Sequence, residues 1–363
     1  MRGPSNNRLI SAFLFALVLI AMLYSVFWYH TMKKTEEGLV SSLRDILGGD
    51  IYYDHAEWEY DITKVGITVK NTVAHFKDDK RNLKYIHSLG DLKVESDFFQ
   101  NFHILINLPQ QQNIKIEQNK KIISEYRIAL NNAALSFYPN IEGGELIFST
   151  DAIHIIDKKD NKLLSGSDLY FIKSGGGRTV TPHSWRISTN KLNWHLPILD
   201  TPLNLYSVLF DTKLRRFPTL TMKDLYAFML EKDRIKYSNL IIDFFSDLNK
   251  RGSTIAINEV RLSKDKDDWT ALSGDIDFGE NLKPNGLLSV NTNQPMDVNN
   301  WLVGKNIVRG NFLSQNRTLN KLFRKPDLLS MSLSLKGDVS YINGLVAGDS
   351  QPITSILGIK NKN

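Results

Sequence analysis

The chain has 363 residues and no cysteine, which excludes disulfide staples, thiolate metal sites and a cysteine nucleophile. Its 45 lysines and arginines against 39 aspartates and glutamates leave a formal charge of +6, spread along the chain without a basic stripe interleaved with aromatics, so no nucleic-acid partner is expected.

Residues 9–29 carry no charge. At ~1.5 Å per residue they form a helix of ~32 Å, against a bilayer core of ~30 Å. Leu9, Phe13, Leu17 and Ile20 supply the apolar wall, and Phe27, Trp28 and Tyr29 stand at the exit, where bulky aromatics suit an interface and not a signal-peptidase site. Residues 1–32 therefore read as a short cytoplasmic tip and an uncleaved signal anchor. Arg2 and Arg8 on one side nearly balance Lys33 and Lys34 on the other. Long domains after a first apolar segment translocate largely regardless of charge, which favours amino terminus in and body out. Absence of cysteine fits a bacterial periplasm, and equally a cytosol.

Residues 33–50 read as a short juxtamembrane helix, with Leu39, Leu43 and Leu47 on one face and Gly48-Gly49 ending it. From Ile51 the apolar period becomes two. Val65, Ile67 and Val69 alternate with Lys64, Thr68 and Lys70, and the same pattern returns in HILINLP, NIKIEQ, ELIFSTDAIHIID, SDLYFIK, SWRISTNKLNWHL, STIAINEVRLS, TALSGDIDF, GLLSVNT and LSMSLSLKGDVSYINGLV. More than ten strands imply a mainly β body over 51–355: a large curved antiparallel sheet, or a partly open barrel or sandwich. Residues 221–251 break the pattern. Tyr237, Leu240, Ile241, Phe244, Phe245 and Leu248 recur at three and four, predicting one or two amphipathic helices, with Thr221 as N-cap and Gly252 as stop. Residues 356–363 read as a flexible tail.

Chemistry-bearing motifs are sparse. The eight histidines form no metal-spaced pattern. Gly175-Gly176-Gly177-Arg178 lacks the Lys-Thr of a phosphate loop, and Gly348-Asp349-Ser350 lacks a nucleophile elbow and a downstream histidine. Asp275, Asp277 and Glu280 are explained by a solvated strand as readily as by calcium, and Asn316-Arg317-Thr318 matches a glycosylation acceptor by pattern alone. No catalytic, cofactor-binding or metal residue is assigned, and an enzyme is not expected.

The layout as a whole, anchor, short helix, strands, amphipathic helix and a strand-rich end, resembles a membrane-anchored Gram-negative bacterial family, domain of unknown function twenty-one twenty-five. Trp269, Gly274, Asp277, Pro284, Gly286 and Gly344 stand in the places of that family's strand-and-turn motifs. Asp61-Ile62-Thr63-Lys64-Val65 departs from the family's Gly/Trp-Pro-Phe element. A looser likeness to AsmA-type envelope proteins implies a β groove with an apolar inner face. The resemblance implies an inner-membrane, single-pass protein with a periplasmic body and no transferable site residues. Two functions are expected: non-catalytic handling of phospholipid or another envelope lipid in an apolar β groove, or an envelope scaffold acting through protein contacts.

Overall fold

The computed structural model describes residues 48–60, 64–97, 103–138, 144–175, 183–199, 201–218, 222–279, 282–324 and 328–357, with isolated positions between 22 and 44. The anchor residues Leu9, Phe13, Leu17, Ile20, Phe27, Trp28 and Tyr29 lie outside these, as do Thr221, Glu280, residues 176–178 and residues 358–363. No helix among the described residues is long and apolar enough to cross a membrane.

Alternating apolar and polar side chains build twenty strands among the described residues. The first ten are β1 (Asp50–Tyr52), β2 (Ala56–Tyr60), β3 (Lys64–Asp78), β4 (Leu83–Asp97), β5 (His103–Asn107), β6 (Gln111–Gln118), β7 (Lys121–Asn131), β8 (Ala134–Tyr138), β9 (Glu145–Asp157) and β10 (Lys162–Ser174). The rest are β11 (His183–Thr189), β12 (Lys191–Trp194), β13 (Leu203–Leu205), β14 (Ser207–Arg215), β15 (Thr254–Ser263), β16 (Trp269–Phe278), β17 (Pro284–Thr292), β18 (Leu329–Lys336), β19 (Val339–Ile342) and β20 (Leu345–Asp349). All join one antiparallel sheet in which each strand pairs with its near neighbours in sequence, and no pairing among the described residues links β20 back to β1 or β2. Among the described residues the body is thus mainly β and forms one large antiparallel sheet, as expected.

Local chemistry sets the turns. Asn119 and Lys120 (φ 51° and 60°) close the β6–β7 hairpin, and Asn343 and Gly344 (φ 48° and 79°) close β19–β20, as two-residue hairpins with both central φ positive require.

Besides isolated helical positions between 22 and 44, six helices are bounded among the described residues: α1 (Met222–Leu230), α2 (Arg234–Arg251), α3 (Pro295–Gly304), α4 (Phe312–Gln315), α5 (Arg317–Phe323) and α6 (Ile353–Ile356). The expected 221–251 segment is two helices, not one, because Asp233 restarts it. Its carboxylate accepts from the Ile235 and Lys236 amides at 2.8 and 3.0 Å. Gly252, at φ 60°, ends α2 as expected, with the Gly252 and Ser253 amides returning to Asn249 and Leu248. Helices α3, α4 and α5 have no counterpart among the expected elements.

Two large cores hold the sheet, and a smaller cluster packs Tyr237 and Ile241 of α2 against Leu196, Ile198 and Phe228. Near the amino-terminal half, Ile67, Val94, Ile106, Phe76 and Tyr85 pack with Tyr226 and Leu230 of α1. At the other end, Val290, Met331, Leu333 and Ile342 pack with Leu302, Phe312, Leu319 and Phe323 of α3, α4 and α5. Helices from both cores therefore stand on one face of the sheet.

At β16–β17 the backbones approach too closely for a side chain. Gly274 (φ 133°) lies against the Leu287 carbonyl, where an added Cβ would collide with main-chain atoms. Gly274→Ala is expected to lower stability by about 3 kcal/mol, strain and overpacking together, read as a shift of the urea midpoint.

Candidate functional site

Cross-strand register places one apolar side chain per strand in a single line. Trp58 faces Ile67, Ile67 faces Val94, Val94 faces Ile106, and Ile106 faces Leu135. Leu135 faces Phe148, then Phe171, Ile187 and Phe210 follow in turn. Val260, Leu272, Val290 and Met331 complete it. The line crosses thirteen strands without a polar residue. Its neighbours one residue along point to the other face, and that row runs Glu57, Thr68, Lys93, Asn107, Ala134, Ser149, Tyr170, Ser188, Leu209, Arg261, Ala271, Asn291, Ser330. The first row is wholly apolar and the second mostly polar, because a side-chain period of two sends alternate residues to opposite sides.

A bulge preserves the line. In β15 the apolar phase shifts by one between Ile257 and Val260, and the register shifts with it. Without the extra residue Glu259 would point into the apolar face. Instead it pairs opposite Asp211 and is held by Arg261 at 2.8 Å.

Burial divides the line into three. Ile67, Val94 and Ile106 are buried under α1, and Val290 and Met331 under the carboxy-terminal helices. Between them Leu135, Phe148, Phe171, Ile187, Phe210, Val260 and Leu272 are only half-buried. At ~4.8 Å per strand these seven span about 29 Å. An aromatic chain adjoins them: Phe171 meets Trp185 at 6.0 Å, Trp185 meets Phe217 at 5.4 Å, Phe217 meets Phe244 of α2 at 5.7 Å, and Phe245 meets Phe278 at 4.9 Å, all edge-to-face. The Trp185 indole nitrogen is buried with no hydrogen-bond partner, a polar handle inside an apolar strip.

Beside α1 a cleft of about 510 Å³ opens between the helices and β4, β6 and β7, lined by Tyr85, Ile116, Ile123, Tyr126, Leu230 and Lys232, a size within the range of small-ligand pockets, ~300–1,000 Å³. Burial raises the Tyr85 hydroxyl to about 12. At its mouth the Lys232 ammonium meets Asp157 at 2.5 Å. Burial works to raise the Asp157 pKa, but Lys232, the Asn161 side chain and amide and the Lys159 amide outweigh it and hold the carboxyl far below the usual range.

The sequence-singled residues resolve as structure. His87 is buried between Gln112 and Tyr226, His103 stacks on Tyr138 at 4.4 Å, and His195 lines a small cleft beside the α1–α2 turn. Among the described residues no group of histidines and carboxylates could hold a metal ion. Ser350 is buried, its amide bonded to Asp338, while Gly348 lies against the Ile307 carbonyl. Asp275 and Asp277 are exposed on β16, and Asn316 bonds the Phe312 carbonyl between α4 and α5. The half-buried line itself was visible only as separate alternating strands. No family model, curated protein or solved structure matches the chain.

Proposed function

We propose that the chain is a non-catalytic envelope protein of the bacterial inner membrane, anchored by residues 9–29, whose periplasmic body holds lipid acyl chains along the half-buried strip. The observation that carries this is the unbroken apolar line whose central seven residues lack full cover. Apolar surface left against water costs about 25 cal/mol per Å², and each acyl methylene laid on it gains ~0.8 kcal/mol. The strip's 29 Å exceeds the ~15 Å depth of one leaflet's acyl layer, half of a ~30 Å core, so one chain fits lying across the strands. The test is mass spectrometry of the full chain extracted with native membrane. Stoichiometric phospholipid retained through purification is expected; a chain that emerges lipid-free from every mild extraction contradicts the reading.

The scaffold reading has one observation of its own. β20 is an edge strand on which Leu345 and Val346 are 46% and 56% exposed, a place where another strand could add. In-cell crosslinking from Val346 separates the two: a discrete protein adduct there favours the scaffold.

A further inference from the structure

Four turns meet at one end of the sheet. The β3–β4 tip (78–83) touches the β6–β7 tip (118–123) through Asn82 Nδ2 donating to Asn119 Oδ1 at 2.9 Å. The β9–β10 tip (157–162) is tied to the α1–α2 turn (231–236) by Lys232–Asp157, and to the β6–β7 hairpin by Lys158–Glu125 at 3.7 Å. Within these short segments stand ten lysines and arginines against six carboxylates. With Glu125, which Lys158 meets, the surplus is three, half of the whole chain's +6 gathered in a small fraction of its length. On the same side the β12–β13 loop carries no lysine or arginine and the β15–β16 tip, 264–268, is net acidic, so the basic rim is confined to the amino-terminal half.

Apolar side chains project through this rim. Ile122 and Ile123 are each 52% exposed and follow Lys120 and Lys121 directly, and Ile235 is 54% exposed between Arg234 and Lys236. Leu199, 41% exposed, adds a fourth from the neighbouring loop. Large apolar side chains in water among lysines are unfavourable in a free protein surface, and they match a bilayer, whose anionic headgroups take the ammonium groups while the acyl boundary takes the isoleucines. The cleft lined by Ile123 and Lys232 opens beside them.

We infer that this end of the sheet docks on the surface of a bilayer rich in anionic lipid, with Ile122, Ile123 and Ile235 at the acyl boundary and the lysines on the headgroups. A protein partner would be met by the same apolar groups, but it would not need the surplus of positive charge. Docking does not depend on what the strip holds, and it places the cleft mouth where a lipid leaves the leaflet.

The chain has no cysteine, so a single introduced one is a unique label site. The full chain carrying Ile122→Cys, and separately Ile235→Cys, is labelled with an environment-sensitive fluorophore and reconstituted into vesicles of mixed phosphatidylglycerol and phosphatidylcholine. Both labels are expected to shift to the blue, to be quenched by brominated acyl chains, and to return toward aqueous emission in high salt. A label at Leu287→Cys, 59% exposed on the polar face, is the aqueous reference. Replacing Lys120 and Lys121 by alanine is expected to weaken the shift's dependence on anionic lipid about 25-fold, near fivefold per charge. Aqueous emission from both rim labels in mixed vesicles overturns the inference, and so does an equal shift in phosphatidylcholine alone. Neither result changes lipid recovery from the strip, so the two readings fail separately.

Discussion

Lowering the pH from 7 toward 4 is expected to remove about 3 kcal/mol of folding stability through one histidine. His87 is 6% exposed beneath α1, and burial lowers its pKa to about 4, only partly offset by Gln112. Its partners specify the neutral ring. Gln112 Nε2 donates to the Pro109 carbonyl at 3.3 Å, which leaves Gln112 Oε1 to accept from His87 Nε2 at 2.7 Å. His87 Nδ1 then accepts from the Tyr226 hydroxyl at 2.5 Å. Because the folded pKa lies below the unfolded ~6.5, the contribution is complete above ~6.5 and is lost as pH falls toward 4. Urea midpoints across this window measure it. His75 and His183 are also lowered by burial and act in the same direction, so the discriminating variant is His87→Leu. It should flatten the profile while costing about 1–3 kcal/mol at pH 7 by leaving Gln112 and Tyr226 unpaired. Tyr226→Ala removes a ring, 1% exposed, that meets Phe76 edge-on at 5.5 Å, and should cost about 3–5 kcal/mol and loosen α1. An unchanged midpoint between pH 7 and 4 would contradict a neutral buried histidine.

Placing aspartates in the strip is expected to abolish lipid retention without unfolding the sheet. Phe171 and Phe210 are half-buried, so carboxylates there stay hydrated in the empty protein, yet they must lose water when an acyl chain arrives. Each lost aromatic also forfeits ~1.5–3 kcal/mol of apolar contact. Phe171→Asp combined with Phe210→Asp should therefore weaken binding at least about 100-fold, which is only ~2.7 kcal/mol. Tyr170→Asp, one residue away on the polar face, should leave binding within a factor of about two. Retained phospholipid, counted in each purified variant at matched urea midpoints, is the measurement. Equal loss in all of them would mean that the strip is not where lipid sits.

Much of the architecture is legible in the residues. The period of two marks most strands, and the phase slip from Ile255 and Ile257 to Val260 and Leu262 writes the bulge into the sequence. Gly252 ends its helix where a left-handed residue is needed. Other features are not local. Helices α3 to α5 are short, carry few apolar residues at helical spacing and are stabilised by packing on β17 and β18, so propensity and periodicity say little about them. Register between strands is a tertiary property: nothing in β9 or β10 alone shows that Phe148 and Phe171 stand opposite each other. His87 and Tyr226 meet across 139 positions, and no spacing rule joins them. The basic rim escaped a linear reading for the same reason, since its lysines come from four turns.

The alternation of faces gives the sharpest test of the lipid strip. A photoreactive phenylalanine analogue is placed in the full chain at Phe171, Ile187 or Phe210, and in parallel at Tyr170, Ser188 or Leu209, one residue away on the opposite face. Irradiation in intact cells followed by mass spectrometry should yield phospholipid adducts at the first three positions and none at the second three. Adducts at neither set, or at both alike, would contradict an acyl chain lying on this line of side chains.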